Sequence, residues 1–173
     1  MLGVVSAGIF DHTIAAFWQY IIYVEILLKL RETALGRARN DFKLQERIRN
    51  VETTFSLTDD VVAGDFTSRL RTAVDSVITA MGQIVDSDEV RNRITNTMFE
   101  KFIPQLRASI ADFSDIADEI VILIDDLDKG WPPRRVEGHD ISTVKHLIET
   151  LNRIQRDLRR NKVSLRHLVF FAQ

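Results

Sequence analysis

Four charged side chains stand directly after a short apolar run in the second half of the chain. Asp125, Asp126, Asp128 and Lys129 follow the residues Ile120–Ile124. Adjacent carboxylates repel one another, and a bound cation relieves that repulsion. Mg²⁺ takes one or two carboxylates and fills its other positions with water and phosphate oxygens. The cluster therefore predicts a metal–nucleotide site, in which one carboxylate orients the metal and a second polarises an attacking water.

The elements that must position this cluster follow from the pattern around it. The apolar run is too short for a helix, is mostly β-branched, and is typical of a parallel strand covered on both faces. Gly130 and two prolines end the acidic turn, Asp140 is expected to cap a helix, and the run Leu168–Phe171 predicts a second strand. Together these elements form a βαβ unit with parallel strands. The helix between the strands has one apolar stripe, made of Ile141, Val144, Leu147, Ile148, Leu151, Ile154 and Leu158.

The stretch Val121–Asp128 resembles the Walker B strand of P-loop NTPases. Its Asp-Asp-Leu-Asp ending, followed by Lys129, resembles the KAP/STAND branch of large bacterial ATPases. The resemblance covers residues 119–173 and implies ATP and Mg²⁺ as ligands, with ATP hydrolysis in the full-length protein. It implies that Asp125 binds the magnesium ion and that Asp126 acts on the catalytic water. Among the other nucleotide-site residues, Asp128 and Lys129 would shape the loop or face a neighbouring subunit.

One departure from that family concerns the phosphates. A P-loop needs Gly-x-x-x-x-Gly-Lys-[Ser/Thr], whose backbone amides cradle them, and none of the seven glycines begins that pattern. The family places this motif on the amino-terminal side of the Walker B strand. We therefore expect a chain that lacks the P-loop, either as a fragment or by loss, and that alone binds ATP weakly or not at all.

Two other interpretations of the aspartates stay open. The acidic turn can be purely structural, in which case the protein is a non-enzymatic helical interaction module. Asp126-Leu127-Asp128 also resembles the Asp-x-Asp of haloacid-dehalogenase-like phosphatases, in which the first carboxylate accepts the phosphoryl group. Lys129-Gly130 and the roughly 120 preceding residues fit that family poorly.

The predicted fold class is α/β, predominantly helical with a small parallel sheet that forms part of a P-loop NTPase fold. Its strands are expected near 119–125 and 164–171. Residues 1–118 are expected to form a helical insertion between the P-loop region and Walker B, while 119–173 hold the Walker B strand, the crossover helix and the next strand. The whole is expected to be one incomplete domain.

Several helices are expected in the first 118 residues. One, apolar on nearly all sides and therefore central, is predicted from Asp11 or Thr13 to about Leu35, with Gly36 as its stop. Pro104 must kink or split a later helix near Ile103. The other predicted apolar seams are Phe42, Leu44 and Ile48; then Phe66, Leu70, Val74, Val77, Ile78, Met81 and Ile84; then Val90, Ile94, Met98, Phe102, Leu106, Ile110 and Phe113.

Composition limits the function classes further. A net charge of -2 gives no global electrostatic signal for nucleic acid or for an anionic membrane. The basic residues Arg156, Arg159, Arg160 and Lys162 are interleaved with acids and predict a solvated surface. The chain has no cysteine, which excludes disulfides and thiolate chemistry and favours a cytoplasmic location. The expected partners are ATP and a second copy of the chain. A membrane is not expected, because charged residues interrupt the most apolar segment.

Overall fold

The computed structural model describes residues 2–55, 92–93, 95–125 and 138–170, except for the side chains of 2–11 and 138–140. We number the described helices and strands in chain order. The helices are α1 (Leu2–Arg37), α2 (Phe42–Thr54), α3 (Ile103–Asp112) and α4 (Gly138–Arg160), and the strands are β1 (Glu119–Ile124) and β2 (Ser164–Val169). The described part of the chain is thus mostly helical, with a small parallel sheet, as the sequence predicted.

The long helix α1 is the centre of the helical layer. From Thr13 to Leu28 every side chain is buried or half-buried, and the helix packs against α2, α3 and α4. The prediction of a central helix is confirmed, but its predicted bounds are wrong, because the helix begins at Leu2 and continues through Gly36 to Arg37. Thr13 does not begin the helix, and its hydroxyl lies 2.8 Å from that of Thr95.

The same segment satisfies the length and composition of a membrane span. Within the described residues, His12–Asn40 reaches a mean hydropathy of 1.4, and 44% of that apolar window is buried. A core helix of a water-soluble protein and a signal sequence near an N-terminus both meet this criterion. The absence of a membrane partner and the cytoplasmic location stay predictions.

Helix α2 begins after Asp41, whose carboxylate accepts a hydrogen bond from the backbone N–H of Leu44 at 3.0 Å. Leu44 and Ile48 are buried as predicted, and Val51 extends their seam. Phe42, the third residue of the predicted seam, is 81% exposed, so that part of the prediction is wrong. Phe42 is the first residue of α2 and lies outside the buried seam, which starts two residues later at Leu44.

The helix that contains Pro104 changes from a π-helix to an α-helix at Ile103, where the sequence predicts a kink or a split. A π-helix runs over Met98–Phe102, and α3 starts at Ile103 with the proline in its first turn. The backbone N–H of Ile103 donates to the carbonyl of Met98, and Phe102 and Ile103 keep helical dihedral angles, so the chain stays helical across the junction. Met98, Leu106, Ile110 and Phe113 are in the core. The predicted seam from Phe66 to Ile84 lies outside the described residues, as do its neighbours Val90 and Ile94.

Strands β1 and β2 pair in parallel, with Glu119 opposite Ser164 and Ile124 opposite Val169. Helix α4 connects them and packs on β2, where the Gln155 side-chain amide donates to the carbonyl of Leu165 at 2.9 Å. The predicted βαβ unit is therefore confirmed. Its helix begins at Gly138, so Asp140 lies inside the helix and does not precede it.

The prediction that β1 is covered on both faces is wrong. Burial alternates along the strand, with Ile120, Ile122 and Ile124 half-buried toward the helices. On the opposite face, Val121 is 50% and Leu123 65% exposed. The alternation arises because successive strand side chains point to opposite faces and the described helices pack on one of them. Leu168 and Phe170 of the second strand segment are about half exposed as well.

The stripe of α4 is buried only in part. Leu147, Leu151, Ile154 and Leu158 are in the core, where α4 meets α1 and the sheet. Ile141 and Ile148 of the predicted stripe are exposed. A stripe of seven apolar residues is wider than the contact that this single helix makes, so its flanking members remain at the surface.

Candidate functional site

The carboxyl edge of the sheet is the candidate site. Asp125 follows the last residue of β1 and is exposed. The pairing continues to this edge, because the backbone N–H of Phe170 donates to the carbonyl of Ile124 at 2.8 Å. Ligands of open α/β sheets bind outside the carboxyl ends of the strands, which is where this carboxylate lies.

Of the four predicted site residues, only Asp125 belongs to the described part of the chain. Asp126, Asp128 and Lys129 lie outside the described residues. Their roles therefore stay predictions from sequence. Asp125 alone fits a magnesium ion as one hard oxygen donor, since Mg²⁺ commonly takes one or two carboxylates and keeps several waters.

A preformed metal cage is absent from the described residues, where no group of three or more His, Asp or Glu side chains lies close enough to hold an ion. Comparison of the chain with protein-family models, curated proteins and solved structures found no match. The resemblance to P-loop ATPases therefore rests on the residues of the Walker B-like segment alone.

His167 lies on the strand next to Asp125, and its sequence context did not predict a functional role for it. It faces Ile122 across the sheet, in the half-buried row of β2. Its Nδ1 atom is buried and has no hydrogen-bond partner among the described residues. The position of a histidine within an alternating strand could have indicated an inward-facing ring, but the missing partner is visible only in three dimensions.

A buried polar network holds α4 against α1 and α3. The Tyr23 hydroxyl donates to Oδ2 of Asp157 at 2.8 Å, and Nη2 of Arg107 lies 3.1 Å from Oδ1 of the same carboxylate. Burial, followed by the hydrogen bond to Asp157, raises the pKa of Tyr23. Gln19, itself buried, hydrogen-bonds to the same tyrosine. The network fixes the helix that leads from one strand of the sheet to the other.

A second polar contact fixes the entry to β1. The Arg47 guanidinium donates to both carboxylate oxygens of Asp115, at 2.8 and 3.1 Å, and to the backbone carbonyl of Asp112. It also lies 5.5 Å from the ring centre of Phe113, a cation–π distance. The hydrogen bonds from Arg47 lower the pKa of Asp115. Sequence reasoning missed this contact because its partners are far apart along the chain.

Proposed function

We propose that this chain is part of a P-loop ATPase that binds and hydrolyses Mg-ATP in its full-length form and thereby drives a conformational switch or an assembly. The observation that supports the proposal best is the exposed Asp125 at the carboxyl end of β1, within a parallel βαβ unit. This is the position from which a Walker B carboxylate reaches a metal–nucleotide complex.

In the proposed site, Asp125 holds the magnesium ion and Asp126 orients the attacking water. Asp128 and Lys129 complete the loop or contact a neighbouring subunit of a homo-oligomer. Bound Mg²⁺ supplies charge neutralisation at the transferred phosphoryl group, while the protein contributes positioning and electrostatic stabilisation. The chain contains no P-loop sequence to cradle the phosphates. A P-loop from the remainder of the full-length protein must supply that cradle.

The first test is calorimetric titration of the purified 173-residue chain with Mg-ATP. We expect no saturable binding at low micromolar nucleotide, because the phosphate-binding amides are missing from the chain. Tight, magnesium-dependent binding by this chain would contradict the expectation that it lacks its cradle.

The second test uses the full-length protein. Asp126→Asn is expected to abolish hydrolysis and largely preserve ATP binding, because an amide cannot accept the proton of the attacking water. Asp118→Asn is the matched control, since Asp118 is an exposed aspartate just before the amino end of β1. Equal ATP turnover in the Asp126 variant and the parent protein would contradict the proposed role of Asp126 in orienting the attacking water.

The alternative function, a non-enzymatic helical interaction module, is favoured by the exposed apolar face of the sheet, which offers contact area unrelated to a nucleotide. The coding DNA upstream of Met1 distinguishes the two. A Gly-x-x-x-x-Gly-Lys-[Ser/Thr] sequence there supports the ATPase, whereas a ribosome-binding site directly before Met1 and no such motif support the module.

A further inference from the structure

The carboxyl end of α4 and the turn that follows it carry a dense group of positive charges. Five cations occur within ten residues of sequence, together with one acid, Asp157. We call the five the cationic cluster: Arg153, Arg156, Arg159, Arg160 and Lys162. In the sequence this acid interrupts the cluster, so the charge of the surface depends on where the Asp157 side chain points.

The fold turns Asp157 inward. Its side chain is only 14% exposed, whereas that of its neighbour Arg160 is 78% exposed. The carboxylate accepts the hydrogen bond from Tyr23 on α1 and pairs with Arg107 of α3. The one negative charge in this stretch is therefore paired with groups on α1 and α3. All five members of the cluster are exposed.

Acids lie near the cluster but make few ion pairs with it: Asp118 is exposed beside the turn that follows α4, and Glu119 pairs with Arg166. Among the described residues, Arg153, Arg156, Arg159 and Lys162 form no ion pair, and Arg160 approaches Asp157 only to 3.9 Å. The preceding acid of α4, Glu149, lies near Lys145 and His146, at 3.9 and 3.5 Å. The cluster thus presents unpaired positive charge on a protein whose net charge is -2.

The cluster lies at the edge of the sheet opposite to the candidate nucleotide site. The backbone N–H of Val163 donates to the carbonyl of Leu158, and that of Ser164 donates to the carbonyl of Asp118, so the end of α4 adjoins the amino ends of both strands. Asp125 follows the other end of β1. Six strand residues at about 3.3 Å each separate the two edges by about 20 Å. The cluster therefore does not reach the phosphates of the proposed ATP.

We infer that the cationic cluster binds the phosphate backbone of double-stranded DNA without sequence specificity. Four of its five members are arginines, whose planar guanidinium donates two parallel hydrogen bonds to a phosphate. A helix about 10 Å wide also fits the major groove, which is about 12 Å wide. The apolar residues Ile154 and Leu158 are buried, which leaves this surface without side chains to insert into a bilayer.

The test measures the affinity of the 173-residue chain for a fluorescently labelled, mixed-sequence DNA duplex. Fluorescence anisotropy gives this affinity at salt concentrations between about 50 and about 200 mM. Each neutralised phosphate contributes about -0.9 to the slope of log affinity against log salt. The five members of the cluster, with one phosphate contact each, predict a slope of about -4.5 and an affinity loss of about 500-fold over that range.

The variant Arg153→Gln/Arg156→Gln/Arg159→Gln removes three of the contacts. Arg160 and Lys162 remain, so we expect its slope to fall to about -1.8 and its affinity at low salt to drop more than tenfold. The matched control, Arg37→Gln/Arg39→Gln/Arg49→Gln, changes the net charge equally at exposed arginines at the end of α1, between α1 and α2, and within α2. It should retain the slope and stay within about threefold of the parent affinity.

Three results would overturn the inference. The parent chain does not bind the duplex at the lowest salt, both triple variants lose affinity equally, or the cluster binds anionic vesicles or an acidic peptide but not the duplex. None of these outcomes depends on ATP hydrolysis, so the inference and the proposed function fail independently.

Discussion

The hydroxyl of Tyr23 provides the sharpest test of the helical core. The residue is 1% exposed, and its hydroxyl donates to the carboxylate of Asp157. Tyr23→Phe removes this oxygen and leaves the ring in place. A hydrogen bond to a charged group contributes about 1.5 to 3 kcal/mol, so we expect the free energy of unfolding to fall by about 2 kcal/mol. For a domain of this size the midpoint of thermal unfolding should fall by about 4 to 8 °C.

The same hydroxyl predicts a pH dependence. Burial and the bond to Asp157 raise the pKa of Tyr23 above the ordinary tyrosine value of 10.0, and burial raises that of Tyr20. Because the folded-state pKa is the higher one, the stability contribution is complete below pH 10 and is lost as the pH rises above it. The difference in stability between the parent chain and Tyr23→Phe should therefore narrow in alkaline solution.

Urea unfolding followed by circular dichroism, at neutral pH and above pH 10, measures both effects. The chain has two tyrosines, so the near-ultraviolet absorbance of tyrosinate reports on Tyr20 and Tyr23 alone. We expect little tyrosinate until the protein unfolds. Tyr20→Phe is the control: its hydroxyl has no hydrogen-bond partner among the described residues, and its ring keeps an edge contact with Phe102. Equal midpoints for Tyr23→Phe and the parent, or full ionisation of both tyrosines near pH 10 in the folded chain, would refute the reasoning.

Three further predictions concern stability. Leu151→Ala should destabilise by about 3 kcal/mol in urea unfolding, because this side chain is fully buried, whereas Ile148→Ala on the exposed flank of the same helix should cost less than about 1 kcal/mol. Arg47→Gln should return the pKa of Asp115 toward 3.8, as measured by carboxyl NMR. In the parent protein, this ion pair contributes to the folding stability above that pH, and the contribution is lost as the pH falls below it. An unchanged pKa of Asp115 in the variant would contradict the contact. His167→Leu should be neutral or stabilise by about 1 kcal/mol, because a buried nitrogen without a partner is removed; a clear loss of stability would contradict the assigned burial.

The exposed apolar face of the sheet separates this βαβ unit from most parallel sheets. Such sheets are usually covered by helices on both faces. Here Leu123 lies opposite Leu168 in the register, and both are more than half exposed. The described helices pack on the other face of the sheet. This pair is therefore part of an exposed apolar surface among the described residues.

The sequence by itself determined the local features of the protein. The β-branched run predicted β1, the helical spacing predicted α4, and Pro104 predicted the irregular winding at the start of α3, because each of these depends on residues within a few positions of one another. The position of Asp125 at the end of β1 followed from the same local pattern. These elements account for the βαβ unit and for the edge of the sheet on which the candidate site lies.

Only the tertiary structure decided which surfaces these elements present. Amphipathic spacing identifies a buried stripe but not its width, so it did not show that Ile148 stays at the surface or that Val121 faces away from the helices. The inward turn of Asp157 depends on Tyr23, which lies 134 residues earlier in the chain. That distant hydrogen bond removes the only acid from a run of arginines, and it turns a mixed-charge sequence into a positively charged surface.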